Sequence, residues 1–159
     1  MNELIAAIET MNPDAIAGAI MAFTGFFAII AAGAFVRYLM RAIGYSKMYR
    51  KAGEAGWKAF IPVFNTYNNY KIAWNGKLFF LYAALIVAST VLGGFAEGAM
   101  ALVTGAISLA TIILALMQNI KMAKAFGKGT GTGILLILFP GITALILGLG
   151  KAEYTAIAE

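Results

Sequence analysis

Few residues of this chain could perform covalent chemistry. Neither histidine nor cysteine occurs among its 159 residues, so a conventional catalytic triad, a zinc site and a haem site cannot be built. The glycine-rich run at residues 127–133 lacks the spacing and the preceding strand of a phosphate-binding loop. Ser46 and Lys47 are neighbours on a helical segment, where adjacent side chains point apart. The sequence therefore predicts a non-enzymatic protein with no catalytic residue, no cofactor and no metal ligand.

Two groups of polar side chains could instead bind or conduct a neutral solute. The first group is a set of amides near the middle of the chain, and the second recurs at intervals of three and four along a later apolar segment. The members are Asn65, Asn68 and Asn69, and then Thr104, Ser108, Thr111, Gln118 and Asn119. These residues either hydrogen-bond between packed helices or line a polar pathway, and both interpretations remain open. No charged residue lies within an apolar run, which counts against proton-coupled pumping.

A third set combines basic residues with tryptophans and could contact lipid headgroups. Its members are Arg41, Lys47, Arg50, Lys51, Trp57, Lys58 and Trp74. Basic side chains at an anionic membrane surface contribute about 1 kcal/mol each, and tryptophan favours the interface. The alternative interpretation is that these residues only anchor the topology of the protein.

The elements that must position these residues are long apolar segments. Four runs carry no charge, at residues 15–36, 78–96, 98–120 and 129–150. Each is near the roughly 20 residues that a helix needs to cross a bilayer. Charged residues make up only 12% of the chain, against about 25% in soluble domains. The sequence predicts an all-α integral membrane protein of one domain, residues 1–159, with transmembrane helices at about 15–38, 78–96, 98–120 and 131–150.

Charge placement predicts the orientation of these spans. Eleven of the 12 basic residues lie between the first and second runs or between the third and fourth. Because basic loops stay cytoplasmic, we expect loops 39–77 and 121–130 inside and both termini outside. The expected location is the inner membrane of a bacterium, with the lipid bilayer as a partner. Nucleic acid is not an expected partner, because the basic residues flank spans rather than form a separate domain.

Local signals predict where the first helix begins and ends. An apolar face on residues 1–11 predicts a short interfacial helix. Asn12, Pro13 and Asp14 are typical of the start of the first span. Apolar side chains at i, i+3, i+4 and i+7 predict that this helix continues past the membrane; they are Tyr45, Met48, Tyr49 and Ala52. Gly53 and Gly56 are expected to end it.

Two further segments carry irregular features. The segment from Trp57 to Trp74 is too polar to span, and Pro62 interrupts it, so we expect an interfacial or re-entrant element. In the fourth run, Pro140 predicts a kink. Small residues on one side of that run predict close helix packing; they are Gly141, Ala144 and Gly148.

Several short motifs resemble those of a family of small multi-span bacterial membrane proteins of unknown function. In the middle of the chain they are Lys51-Ala52-Gly53, Gly56-Trp57, Phe60-Ile61-Pro62, and Asn65 with Tyr67. Later they are Ala125-Phe126-Gly127-Lys128-Gly129, and Gly148-Leu149-Gly150 with Ala152 and Tyr154. The resemblance implies several spans, and some members of the family are joined to signal-peptidase-like chains. It implies no catalytic residue.

The expected function is that of a membrane module that assembles with itself or with a partner membrane protein. A small channel or carrier for a neutral solute is one alternative. A scaffold that binds anionic lipid is the other.

Overall fold

Helices account for every regular element among the described residues. A computed structural model describes residues 12–95 and 97–156. Six α-helices follow one another in this part of the chain: α1 (Pro13–Lys51), α2 (Pro62–Ala73), α3 (Lys77–Gly93), α4 (Ala99–Ala125), α5 (Thr130–Leu138) and α6 (Pro140–Leu149). A 3₁₀ helix, Gly56–Phe60, precedes α2. The predicted all-α class is confirmed for the described residues, and the predicted helix on residues 1–11 lies outside them.

The predicted ends of α1 are both confirmed. Asn12 caps its start, because the Asn12 Oδ1 atom accepts a 3.0 Å hydrogen bond from the Asp14 amide. At its end, Gly53 has a φ of 76°, and the Glu54 amide donates to the Tyr49 carbonyl at 2.8 Å. This six-to-one bond closes a Schellman motif, which needs a residue in the left-handed region and so favours glycine. α4 ends in the same way at Gly127, whose φ is 66°.

The chain divides into two units at residue 38, and each is described by itself. The described part of the first unit is Asn12 and the first 26 residues of α1. None of these residues is buried. Phe23 and Phe27 pack on each other with ring centroids 4.6 Å apart.

The second unit has its hydrophobic core where the C-terminal ends of α1 and α4 meet α2, α5 and α6. The core residues are Tyr45, Met48, Tyr49, Ala59, Ile72, Ala73, Met122, Ala123, Ala125, Phe126, Leu136, Ala144 and Leu147. The apolar face predicted for the end of α1 is confirmed, because Tyr45, Met48 and Tyr49 are buried and Ala52 packs against them. The best-packed part of the unit is thus one end of the helices, not their apolar middles.

Pro62 begins α2, as expected for a residue that cannot continue a preceding helix. The segment from Trp57 to Trp74 is therefore a 3₁₀ helix followed by an α-helix, which packs on α3 and α4. Tyr67 contacts Phe79, and Tyr70 contacts Tyr82, with ring centroids 5.6 and 5.3 Å apart. Whether this segment is interfacial or re-entrant stays a prediction.

The second and third predicted spans correspond to α3 and to most of α4. α3 is 17 residues long, and α4 is 27. α4 is long and apolar enough to cross a membrane, as is α1, whereas α3 is a shorter apolar helix. The turn between them includes Gly98, which has a φ of 55°.

The single helix predicted for the fourth span requires a correction. Residues 131–150 form two helices, α5 and α6, which are separated at Phe139. Pro140 has no amide hydrogen for the preceding turn, and the Thr143 hydroxyl donates instead to the Leu135 carbonyl at 3.0 Å. The feature at Pro140 is therefore a break rather than a kink.

The two helices run in opposite directions and form a hairpin. α5 begins beside the end of α4, where a Cβ atom on Gly133 would lie 2.6 Å from the Ile120 Cα atom. α6 then returns along the end of α1. A Cβ atom on Gly44 would lie 2.6 Å from the Ala144 carbonyl carbon, and one on Gly148 would lie 2.9 Å from the Lys47 Cβ atom. A single helix over residues 131–150 is therefore wrong.

Candidate functional site

Two asparagines of α2 and one tyrosine of α1 form a buried polar cluster. The Tyr49 hydroxyl lies 2.5 Å from the Asn65 Oδ1 atom and 2.8 Å from the Asn69 Oδ1 atom. Asn69 donates to the Asn65 Oδ1 atom, and Asn65 donates to the Ala59 carbonyl. Since a hydroxyl has one hydrogen, Tyr49 can donate to only one of the oxygens around it. The cluster ties α1, the 3₁₀ helix and α2 together, and Gln118 of α4 joins it by donating to the Asn69 carbonyl at 3.3 Å.

Two other buried polar groups of α2 lack partners. Asn68 has no exposed surface, and neither its side-chain nitrogen nor its oxygen has a hydrogen-bond partner in the described part of the chain. The same holds for the Tyr70 hydroxyl, and burial raises the pKa of that hydroxyl above its ordinary value. An unsatisfied buried amide costs about 1 to 3 kcal/mol, so Asn68 weakens the fold.

The polar residues of α4 mostly bond to their own helix. The hydroxyls of Thr104, Ser108 and Thr111 each donate to the carbonyl four residues earlier, at 2.9 Å. Asn119 does the same toward the Ala115 carbonyl at 2.8 Å. These side chains thus satisfy their donors without a neighbouring helix. The structure brings Gln118 to the amides of α2, but it gives these other four residues partners within α4.

Lys51 binds backbone rather than another side chain. Its ammonium donates to three carbonyls, those of Leu147, Gly150 and Ala152, at 2.8, 2.7 and 2.9 Å. All three of its hydrogens are used, and the cation lies at the negative end of the α6 dipole. Lys51 therefore fixes the end of the hairpin, a role that its sequence context did not indicate.

The segment of residues 150–155 continues across the core. The Tyr154 hydroxyl donates to the Ile72 carbonyl at 3.0 Å, and the Tyr154 ring packs on Phe126. The Thr155 amide donates to the Ala125 carbonyl at 2.7 Å. The 150–155 segment therefore joins the C-terminal ends of α1, α2, α4 and α6.

Glu54 forms both ion pairs found within the described residues. Its carboxylate contacts Lys58 at 2.7 Å and Lys71 at 2.5 Å. These hydrogen bonds hold the pKa of Glu54 below its ordinary value, and the same contact raises the pKa of Lys71. The pairs link the turn after α1 to the 3₁₀ helix and α2.

The remaining predicted headgroup contacts are spread around this end of the fold. Lys47, Arg50 and Trp57 are exposed, and Trp57 packs on Phe64. Trp74 lies under the Lys121 ammonium, 4.2 Å from its ring centroid, in a cation–π contact. The prediction that these residues contact lipid is not tested by this arrangement.

The small residues of the fourth run pack inside the chain. Gly44 and Ala144 allow α1 and α6 to touch through their backbones, as do Gly148 and Gly44. Ala144 has no exposed surface, and Gly148 is buried, whereas Gly141 is half-buried. This surface is used within one molecule, so it is not free for assembly with another.

A family of unknown function (DUF5684) matches residues 57–156, more than half of the chain. The chain belongs to this family. The matched region contains α2 to α6 and the 150–155 segment, and α1 lies before it. No curated protein and no solved structure matches the chain. The expected membership of a family of unknown function is confirmed, whereas the link to signal-peptidase-like chains and the bacterial origin stay predictions.

The sequence did not predict the side-chain contacts of three residues at this site, which lie in the family region and around the end of α1. Glu54 is the only acidic residue between Asp14 and Glu97, which was a signal that it pairs with the surrounding lysines. Tyr49 and Tyr154 were noted as parts of an apolar face and a motif, but their hydroxyl partners lie 16 to 82 residues away. No local pattern indicates such partners.

Proposed function

We propose that the chain is a non-enzymatic integral membrane module of three spans, which assembles with itself or with a partner membrane protein. The proposed spans are the first part of α1, α3 and most of α4. The hairpin of α5 and α6 enters the inner leaflet and returns. The proposed location is the cytoplasmic membrane of a bacterium.

Apolar exposure supports the membrane part of the proposal. The best 18-residue windows of α1 and α4 have mean hydropathies of 2.2 and 2.3, and none of their residues is buried. The hairpin also presents apolar side chains, with Leu138 61% and Phe139 55% exposed. Surfaces of this kind need lipid or another protein to cover them.

The return of α6 supports three spans rather than four. The 150–155 segment contacts Lys51 and Ala125, which lie within the two loops expected in the cytoplasm. With four spans, Lys151 would be the one basic residue of the 12 on the outer side. With three spans and a hairpin, Lys151 joins the others inside, as the positive-inside rule favours. The C-terminal region would then be cytoplasmic, contrary to the expectation that both termini lie outside.

Single cysteines can test this topology, because the natural chain has none. We expect a membrane-impermeant maleimide added to intact cells to label Glu97→Cys but not Glu153→Cys. Both variants should react after the cells are opened. Labelling of Glu153→Cys in intact cells would contradict the hairpin arrangement and favour a fourth span.

A face of small residues on α1 carries the assembly part of the proposal. Gly18, Gly25 and Gly33 recur at intervals of seven and eight residues, and Ala22 lies between the first two on the same face. A Cβ atom on any of the three glycines would meet nothing within 4 Å. Membrane helices associate through such small residues because their backbones can approach closely.

The test is the subunit number of the detergent-solubilised protein and of two matched variants. Gly25→Leu should reduce the subunit number or release a co-purifying membrane protein, whereas Ala31→Leu, on the other side of the helix, should not. Leucine is a better helix former than glycine, so loss of α1 would not explain the effect. Equal behaviour of the two variants would refute this interface. A monomeric wild-type protein without a co-purifying membrane protein would refute assembly altogether.

A further inference from the structure

A cavity lies where the tip of the α5–α6 hairpin meets α1 and α4. Its volume is about 270 Å³. Arg41 and Tyr45 of α1 form one wall, and α4 forms another. The third wall is the broken helix, with Pro140 at the start of α6.

Arg41 supplies a positive charge on one wall of this cavity. Arg41 makes no ion pair with any described residue, and its guanidinium carbon lies 5.5 Å from the centroid of the Tyr45 ring. Tyr45 is only 2% exposed, and it forms part of the same wall as Arg41. The positive end of the α6 dipole adds to the charge of Arg41. The cavity therefore favours an anion that can accept hydrogen bonds.

The wall on α4 changes from apolar to polar along its length. Ile112, Leu116 and Asn119 fall at i, i+4 and i+7 on one face of α4, over about 10 Å. Ile112 is 56% exposed and Leu116 is 40% exposed, and Ile137 of α5 faces the same space. The polar end of this wall points toward the core at the C-terminal end of α4. The apolar end points toward the middle of α4, where a bilayer would place acyl chains.

We propose that this cavity binds the headgroup phosphate of an anionic phospholipid from the inner leaflet. Arg41 and the Tyr45 hydroxyl bind the phosphate, and Asn119 lies beside the headgroup. The first carbons of an acyl chain lie along Ile112, Leu116 and Ile137. The inference rests on the membrane placement proposed above, and it adds a specific lipid site that the surface charge alone does not indicate.

Native mass spectrometry of the detergent-solubilised chain tests the site. The probes are phosphatidylglycerol, phosphatidylcholine with the same acyl chains, and inorganic phosphate. We expect the wild-type protein to retain one phosphatidylglycerol in preference to phosphatidylcholine. Arg41→Gln should weaken that binding at least tenfold, whereas Arg50→Gln, an exposed arginine outside the cavity, should leave it within twofold.

Two further measurements, one on a cavity-filling variant and one with inorganic phosphate, complete the test. Ala115→Phe fills the cavity without removing charge and should also abolish retention, so the proposal can be tested even if Arg41→Gln does not fold. Millimolar inorganic phosphate should not displace the lipid, because it lacks the apolar contacts. Equal retention by Arg41→Gln and Arg50→Gln, or full displacement by phosphate, would overturn the proposal.

The membrane proposal is checked separately by carbonate washing of cell membranes. A chain released by carbonate refutes membrane placement itself. A chain that stays in the washed membranes, but binds both phospholipids equally, refutes only the lipid site.

Discussion

Replacing Gly44 by alanine tests the packing of the hairpin most directly. The added Cβ atom would lie 2.6 Å from the Ala144 carbonyl carbon and from the Leu145 nitrogen. Carbon atoms in favourable contact are about 3.5 to 4.0 Å apart, so α1 and α6 would have to separate by about 1 Å. Backbone atoms cannot rotate away as a side chain can, and we expect the overpacking to cost about 1 to 3 kcal/mol.

Helix propensity opposes this cost. Alanine is favoured over glycine in a helix interior by about 0.8 to 1.0 kcal/mol. Gly105→Ala supplies the control, because Gly105 lies in α4 and a Cβ atom there would meet nothing within 4 Å. We expect Gly105→Ala to stabilise the protein by up to about 1 kcal/mol, and Gly44→Ala to destabilise it by up to about 2 kcal/mol.

Thermal unfolding in detergent measures both changes. The tryptophans Trp57 and Trp74 lie in the second unit and provide the fluorescence signal. The decisive result is the sign of the shift in midpoint, which should differ between two chemically identical substitutions. If Gly44→Ala raised the midpoint as Gly105→Ala does, then α6 would not lie against α1, and the close packing of the hairpin on α1 would be refuted.

Two further predictions concern buried and paired polar groups. Asn68→Leu should raise the unfolding midpoint, because it removes an unpartnered amide whose burial costs about 1 to 3 kcal/mol. Asn65→Leu should lower the midpoint, because it removes hydrogen bonds to Tyr49 and Ala59. Midpoints that move in the same direction would contradict this reasoning. A second test compares the unfolding midpoints of the wild type and Glu54→Gln from pH 7 to pH 3. The difference should be constant above the ordinary carboxyl pKa of 4.5. It should vanish as the pH falls through the lower pKa of Glu54 in the folded state. The depressed pKa sets this sign, since ionised Glu54 favours the folded state, and its pairs with partly exposed lysines contribute at most about 1 kcal/mol. A difference that persists unchanged at pH 3 would show that the ion pairs do not cause it.

The boundaries of the helices were largely predictable, because each depends on a few neighbouring residues. Asn12 and Pro13 mark the start of α1, and Gly53 marks its end. Pro62 correctly interrupts the segment between α1 and α3. Such caps and breaks act through bonds to residues at most five positions away, so the sequence itself contains the information.

The hairpin was not predictable from the same signals. Residues 129–150 are long and apolar enough to span a membrane, and Pro140 alone does not distinguish a kink from a reversal. The direction of α6 depends on Gly44 against Ala144, and on Lys51 bonding to carbonyls 96 to 101 residues away. Lys151 was the one sequence signal against a fourth span, since a four-span arrangement places it as the only basic residue outside.

The candidate site was predictable in its residue types but not in its connections. Gln118 and the amides of α2 do meet, whereas the hydroxyls of α4 bond within their own helix. The partners of Tyr49 lie 16 and 20 residues away, beyond the reach of any periodic pattern. Arg41 was recognised as a basic residue near a membrane surface, but the cavity beside it exists only because four separate helices converge.

The closure of the core by residues 150–155, at the C-terminal ends of α1 and α4, sets an order of events during biosynthesis. Lys51 is synthesised 99 residues before Gly150, whose carbonyl accepts one of its hydrogen bonds. Ile72 is synthesised 82 residues before Tyr154, whose hydroxyl donates to the Ile72 carbonyl. Chains are made from the N-terminus, so α1, α3 and α4 exist before this closure can form. A nascent chain interrupted before residue 150 would keep its first helices but leave Lys51 hydrated and the core at this end open. Cellular proteases could then recognise the unfinished product by that opening, at a point when its apolar helices are already complete.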